Sequence, residues 1–343
     1  MTTGRNRRNV ALVSTIIRTS DLTKHYGRTH ALDGLDLVVE EGQVHGFLGP
    51  NGAGKSTAIR IMLGLARATG GSVEVFGSDP WADAVELHRR IASVPGDVAL
   101  WPNLSGGEAI DFLSRLRGAG RHDEGYRAEK DRLLTEFQFD PTKKGRAYSK
   151  GNRQKVALIA AFAVPADLYV LDEPTSGLDP LMEMVFRREV ARLRQRGATV
   201  LLSSHILSEV EQLCDHVSII RSGRIVESGT LADMRHLTRS EVSFEASGID
   251  ALDGMANIHD PRWEDGRAAF TVDSDAVTAV LPDLAARQVE GLRINPPSLE
   301  ELFLRHYGND GDVGGAGDVD GAESQEATAA DPPLTRRERR ERP

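Results

Sequence analysis

Cysteine is almost missing from this chain, with Cys214 alone among 343 residues. One thiol excludes an internal disulfide framework and suits a reducing compartment. Long hydrophobic runs are missing too. The longest, Val156 to Val164, stops at Pro165, far short of the roughly 20 residues a membrane-spanning helix needs. There is no excess of positive charge either. The 42 basic and 51 acidic residues leave a formal net charge of −9, which argues against general nucleic-acid binding through a basic surface. A secretory leader is imitated only faintly. Arg5, Arg7 and Arg8 precede the apolar stretch Val10 to Ile17, but no small-residue cleavage site follows. The expectation is that the chain stays inside the cell.

What is present fits a globular protein. Hydrophobic residues make up 40% and charged residues 27%, ordinary values for a chain long enough to build one large α/β domain and a smaller one. Residues 1–13 are polar and basic and read as disordered. From Ile16 to Val39, β-rich stretches alternate with turn residues. Val44 to Leu48 reads as a buried strand and Ser56 to Leu65 as a helix, while the pattern from Ser78 to Asp140 is mostly helical. Leu168 to Leu171 and Thr199 to Leu202 are short apolar runs bounded by helices, as in a parallel sheet covered on both faces. Val217 to Ile220 and Arg224 to Val226, joined by Ser222-Gly223, predict a hairpin. A second, α+β unit follows over 240–308. Its strands are expected at Glu241 to Ala246, Ala268 to Val272 and Gly291 to Ile294, its helices at Asp275 to Arg287 and Ser298 to Tyr307. The mixed-charge segment 309–343 reads as a disordered tail.

Two segments carry phosphate chemistry. Gly49-Pro50-Asn51-Gly52-Ala53-Gly54-Lys55-Ser56 matches G-x-x-x-x-G-K-[ST] between a predicted strand and a predicted helix. Glycines let successive backbone N–H groups turn inward on phosphate oxygens, and the helix adds the positive end of its dipole. Lys55 is then placed to contact the outer phosphates, the Ser56 hydroxyl to hold Mg²⁺, and Thr57 to assist. Leu168-Tyr169-Val170-Leu171 delivers Asp172 and Glu173 to the end of a buried strand. Asp172 suits Mg²⁺ binding through water, and Glu173 suits polarisation of an attacking water.

Around these, a set of ordered motifs between Ile16 and Gly229 resembles the ATP-binding subunits of ABC transporters. Tyr148-Ser149-Lys150-Gly151-Asn152-Arg153-Gln154-Lys155-Val156 is similar to the family's signature, L-S-G-G-Q and its basic continuation. Asp172 to Pro180 resembles its acidic strand end and D-loop, Ser203-Ser204-His205 its switch histidine, and Tyr26 its adenine-stacking aromatic. The resemblance implies a P-loop α/β nucleotide-binding domain with a helical signature subdomain over 14–235, binding ATP and Mg²⁺. It implies head-to-tail dimerisation with a second copy, each ATP lying between one cradle and the other copy's Ser149 and Gly151. It also implies that His205 bonds the γ-phosphate, that Asp179 couples the two sites, and that a separate membrane permease is driven. The chain is then peripheral on the cytoplasmic face.

Departures and decoys accompany the match. Leu104-Ser105-Gly106-Gly107-Glu108 is a closer literal match to L-S-G-G-Q, yet it is far from Asp172 and lacks the Arg-Gln-Lys continuation, so it reads as a loop at a helix start. Gly96 stands where the family has a glutamine side chain that senses Mg²⁺, with Asp97 or water as the substitutes. Lys150 either adds charge near the γ-phosphate or faces solvent. The run Pro296 to Leu304 resembles the end of drug-resistance exporter ATPases, including the daunorubicin-resistance type, although Leu299, Leu302 and Phe303 equally suit any amphipathic closing helix. The expected function is therefore an ATPase driving efflux of a drug or other hydrophobic molecule. An importer ATPase shares every motif. A soluble ABC protein acting on ribosomes or in DNA repair is disfavoured by the single cassette and the lack of coiled-coil heptads. A non-hydrolysing regulator is disfavoured by the presence together of Lys55, Asp172, Glu173 and His205.

Overall fold

The computed structural model describes residues 14–120, 123–236, 239–273 and 276–295. It opens with a long antiparallel hairpin, β1 (Thr15–Tyr26) and β2 (Thr29–Glu40). Strand β3 (Val44–Leu48) is buried along its whole length and leads through the glycine-rich loop into α1 (Lys55–Met62). That helix is shorter than its apolar pattern predicts, because Gly64 adopts a left-handed conformation (φ 65°) just past its end. Strand β4 (Gly70–Val75) pairs with β1, completing a three-stranded sheet in the order β2-β1-β4.

The region from Ser78 to Asp140 holds α2 (Ala84–Arg90), α3 (Gly106–Leu116) and α4 (Glu124–Glu136). It also holds a strand that the helical pattern hides, β5 (Ile91–Val94), which follows α2 without a loop. Four residues are too few for a period of two to stand out. Next come α5 (Lys150–Phe162), β6 (Leu168–Asp172), α6 (Pro180–Gln195), β7 (Thr199–Ser204) and α7 (Leu207–Leu213). The hairpin of β8 (His216–Arg221) and β9 (Arg224–Thr230) forms where the sequence places it, and α8 (Leu231–His236) follows.

Helix starts are set by single side chains. Ser105, Asp123, Ser149 and Asp179 each accept a backbone N–H from the first turn of α3, α4, α5 and α6. Each such cap satisfies a donor the helix cannot, worth about 0.5–2 kcal/mol.

The central sheet has the order β5-β6-β7-β3-β8-β9, parallel throughout except for β9. Alternate residues feed separate cores. Tyr169 and Leu171 join a cluster with Val200, Leu202 and the apolar side of α5, while Leu168 and Val170 join one with Phe47, Leu201 and α1. Burial on both faces explains the continuous apolar runs Leu168 to Leu171 in β6 and Val200 to Leu202 in β7. It also forces the polar ends of these strands, Asp172 and Ser203-Ser204, into one crevice at the carboxyl edge of the sheet.

A separate sheet follows, built from β10 (Arg239–Glu245), β11 (His259–Glu264), β12 (Arg267–Asp273) and, after α9 (Val277–Ala286), β13 (Glu290–Asn295). Its order is β11-β12-β10-β13, and Val242, Phe244, Phe270, Val280 and Leu284 form its core. The expected strands near 241, 268 and 291 and the helix before Arg287 are all present. Strand β11 was not legible, since it lies at an edge, is largely exposed and contains Pro261. The expected helix from Ser298 to Tyr307 and the segments 1–13 and 309–343 lie outside the described residues.

Candidate functional site

The glycine-rich loop is held between β2 and the β8–β9 turn. Gly223 donates its N–H to Ala53 O (2.9 Å), and Asp33 donates to Gly223 O (3.0 Å). These contacts leave no room for side chains. A Cβ on Gly54 (φ 112°) would lie 2.5 Å from Ala31 O, and one on Gly49 would lie 2.5 Å from Ile220 O. The curl so imposed leaves the N–H groups of Gly52, Gly54, Lys55 and Ser56 without a hydrogen bond to any described residue. A row of unused donors at the start of α1 is what a polyphosphate requires.

Lys55 is buried, and its Nζ turns back onto the loop, donating to Gly49 O (2.5 Å) and Pro50 O (3.1 Å). It also stands 3.7 Å from Glu173 Oε1. Burial pushes the ammonium pKa down, opposed by Glu173 and Asp172. Glu173 Oε1 lies 3.3 Å from His205 Nδ1 on the other side, so Lys55, Glu173 and His205 converge at one point. Glu173 adopts a left-handed backbone (φ 46°), an uncommon state for a non-glycine residue and one that marks functional turns.

Asp172 is 6% exposed, and its Oδ1 accepts the Ser203 hydroxyl. The Ser203 Oγ also accepts the Glu173 N–H at 3.2 Å. One serine thus orients both carboxylate-bearing residues, a role the sequence reading did not assign; the signal was the polar end of an otherwise apolar β7. Asp172 Oδ2 and the Ser56 hydroxyl remain without hydrogen bonds to described residues. An oxygen-only pair of one carboxylate and one hydroxyl fits a hard cation such as Mg²⁺. Gly96 lies against this carboxylate, with a Cβ placed there 3.4 Å from Asp172 Oδ2. Asp97 is exposed and makes no hydrogen bond or ion pair with Asp172.

The two serine-glycine stretches differ in what their helix starts leave free. At α3, Ser105 and Glu108 form a reciprocal capping box. Gly106 donates to Lys143 O (3.0 Å) and Gly107 to Pro141 O (2.9 Å), so the helix end is consumed by its own chain. At α5, Ser149 accepts only the Asn152 N–H (3.3 Å), and the N–H groups of Lys150 and Gly151 find no partner among the described residues. Gly151 packs on Gly177, and Lys150 Nζ donates to Ser176 Oγ (2.8 Å), so Lys150 is tied to the loop after Glu173. Gln154 Nε2 reaches Pro174 O (3.0 Å) inside the fold. At the far end of α5, Arg117 donates to Ala161 O and Val164 O, each at 2.8 Å, and so caps the helix carboxyl end.

Within one chain, no hydrogen bond or ion pair joins Ser149 or Gly151 to the Lys55–Glu173–His205 cluster among the described residues. Thr57 lies in the first turn of α1, directly after Ser56. Tyr26 is half-exposed at the tip of the β1–β2 hairpin, where Lys24 Nζ sits 4.9 Å from its ring centre. Asp179 Oδ1 is engaged in capping α6, accepting the Met182 N–H at 3.0 Å.

Comparison with known proteins agrees with this geometry. The ABC transporter family model matches residues 32–176. The bacitracin transport ATP-binding protein BcrA of Bacillus licheniformis is 31% identical over 313 residues, spanning 86% of this chain and 98% of that protein. The daunorubicin resistance ATP-binding protein DrrA3 of Streptomyces coeruleorubidus is 34% identical over 311 residues, spanning 87% and 98%. A solved structure of an ATP-binding subunit of an ABC transporter superposes with a TM-score of 0.61 at 31% identity, over 65% of this chain and 93% of that one. A dimeric bacterial ABC transporter cassette shares the fold, with a TM-score of 0.57 at 23% identity over 63% and 99%. With relatives above 30% identity aligned over nearly their whole length, the chain belongs to the ABC transporter family, among its ATP-binding proteins.

Proposed function

We propose that this chain is the ATP-hydrolysing subunit of an exporter, driving a drug or other hydrophobic molecule through a separate permease. The observation that carries the ATPase reading is the convergence of Lys55, Glu173 and His205 beside the unused N–H groups of the P-loop. In this reading Gly49, Pro50, Asn51, Gly52, Ala53 and Gly54 wrap the phosphates, with Thr57 assisting. Lys55 exchanges Gly49 O, Pro50 O and Glu173 for the outer phosphate oxygens, which frees the Glu173 carboxylate to take a proton from the attacking water. His205 then bonds the γ-phosphate, and Tyr26 stacks on adenine. Ser56 and Asp172 hold Mg²⁺, whose charge steadies the phosphates when bound.

Ser149 and Gly151 face the nucleotide of a second copy in a head-to-tail dimer, with the free N–H groups of α5 supplying donors that the cradle lacks. Residues 14–235 form the motor and residues 240–308 the accessory unit of this scheme. Export of a hydrophobic cargo is supported by the named roles of the relatives, bacitracin transport and daunorubicin resistance.

No helix among the described residues is long and apolar enough to cross a membrane, so the channel is assigned to a partner. A cavity of about 560 Å³ lined by Val85, Pro95, Val98, Trp101, Leu113 and Leu116 adjoins Gly96, with Val85, Trp101 and Leu116 exposed at it. Its apolar walls suit a short amphipathic helix of the permease, and this contact keeps the chain on the cytoplasmic face of the membrane. Co-purification of the full chain from its native membranes, with mass spectrometry, tests the assignment. A multi-helix membrane protein without its own ATPase domain is the expected companion; ribosomes or a soluble partner in its place overturn the transport reading.

A further inference from the structure

One buried acid stands outside the chemistry just described. Glu209 lies in α7 and is 5% exposed. Its Oε2 accepts the Ser204 hydroxyl at 2.7 Å, and Ser204 is itself buried. The Ser204 Oγ also accepts the Ile206 N–H at 2.9 Å. One hydroxyl therefore spans the peptide of His205, and Glu209 fixes the direction of that hydroxyl. The Thr175 hydroxyl, two residues beyond Glu173, lies beside the same carboxyl. Glu209 Oε1 is buried with no hydrogen-bond partner, a costly arrangement that calls for a compensating role. Burial pushes this carboxyl's pKa up; the Ser204 and Thr175 hydroxyls and Arg187 oppose the shift, and Glu183 adds to it.

The loop carrying His205 and the loop carrying Glu173 thus meet at Glu209 from behind, while in front His205 Nδ1 stands 3.3 Å from Glu173 Oε1. The front contact joins two half-exposed side chains and is weak by itself. The rear contact is dry. We propose that Glu209 is a positioning residue for hydrolysis: acting through Ser204, it holds His205 in place at Glu173. This rests on the reading of Glu173 and His205 as the hydrolytic pair. A Glu that served only to start α7 would support folding and leave no separate mark on turnover.

The test is steady-state ATP turnover of the full chain, with nucleotide affinity measured in parallel by a fluorescent ATP analogue. Glu209→Met and Ser204→Ala each remove the tie. They should lower kcat by about 10- to 100-fold, the cost of misplacing a reacting group by an ångström or less. Nucleotide Kd should stay within about twofold, since the loss falls on the transition state. Glu209→Gln keeps an acceptor oxygen for Ser204 and should recover kcat to within about threefold of wild type, a difference under 1 kcal/mol. If Glu209→Met does not fold, Ser204→Ala and Glu209→Gln decide between them. Unchanged kcat in the Met and Ala variants overturns the proposal, as does a Gln variant as slow as Met, or kcat and affinity falling together. A wild-type chain that binds ATP without turnover overturns the hydrolytic reading itself; active wild type with indifferent variants overturns only the role of Glu209.

Discussion

Glu173 and Lys55 form an ion pair of 3.7 Å between the end of β6 and the start of α1. In the proposed function these are the phosphate-binding lysine and the water-activating carboxylate, so nucleotide binding would have to separate them. Removing the carboxylate charge should ease binding while ending turnover. Glu173→Gln is expected to bind ATP as well as wild type or better, to lose about 100-fold or more in kcat, and to accumulate as a dimer. Gel filtration with ATP and Mg²⁺ checks this, and a monomeric variant with normal turnover contradicts it.

The helix start that serves the nucleotide can be identified by substitution. Ser149→Arg should abolish hydrolysis, because it blocks the free end of α5. Ser105→Arg should leave turnover nearly intact but lower stability by about 1 kcal/mol through loss of the capping box. Urea unfolding and an ATPase assay on both variants separate the two effects; the opposite pattern would show that the literal L-S-G-G-E run is the signature.

At Gly96 a side chain fits. The nearest Asp172 atoms lie 3.4 and 3.5 Å from a Cβ built there, ordinary contact distances. Gly96→Gln should fold with stability within about 0.5 kcal/mol of wild type and reach half-maximal turnover at lower Mg²⁺, by adding an oxygen donor beside Asp172. Asp97→Asn should leave Mg²⁺ dependence unchanged, since Asp97 makes no contact with Asp172. A Mg²⁺ titration of ATPase rate measures both.

His45 predicts an acid limb in stability. It is buried, its Nε2 bonds Ser218 Oγ (2.9 Å), and burial, with His216 beside it, holds its pKa at about 3 against the usual 6.5. Between those values the unfolded chain takes a proton that the folded chain refuses. Stability from this group is complete above pH 6.5 and falls as pH drops towards about 3, by up to ~1.4 kcal/mol per unit. Denaturant unfolding at pH 8 and 5 should therefore differ by about 2 kcal/mol less in His45→Gln than in wild type. Equal pH slopes would remove His45 as the cause.

Much of the molecule was legible in its residues. The strand–loop–helix of the phosphate cradle, the buried strand ending in Asp172-Glu173, and the helix starts at Ser105 and Ser149 all follow from local chemistry. So did the three strands of the small sheet whose apolar positions alternate. These features depend on neighbours in sequence, which a linear reading can see.

What only the tertiary structure decided depends on residues far apart in the chain. The continuation after Ser149 separates it from Ser105 in the sequence, but the physical difference is tertiary: Lys143 and Pro141 fold back to occupy the N–H groups of α3, and no described residue does so at Lys150 and Gly151. Lys150 is exposed, as one of its two readings has it, and the structure adds that its stem lies along Gly177 with its ammonium on Ser176. Ser203 stands in the sequence only as a neighbour of His205 and Glu209 belongs to no motif; the contacts of both come from the crevice that the parallel sheet makes where β6 and β7 end side by side. Local sequence determined which groups could bind phosphate and move a proton. Long-range packing decided which of those groups were left unsatisfied, and only an unsatisfied group is free to act on a ligand.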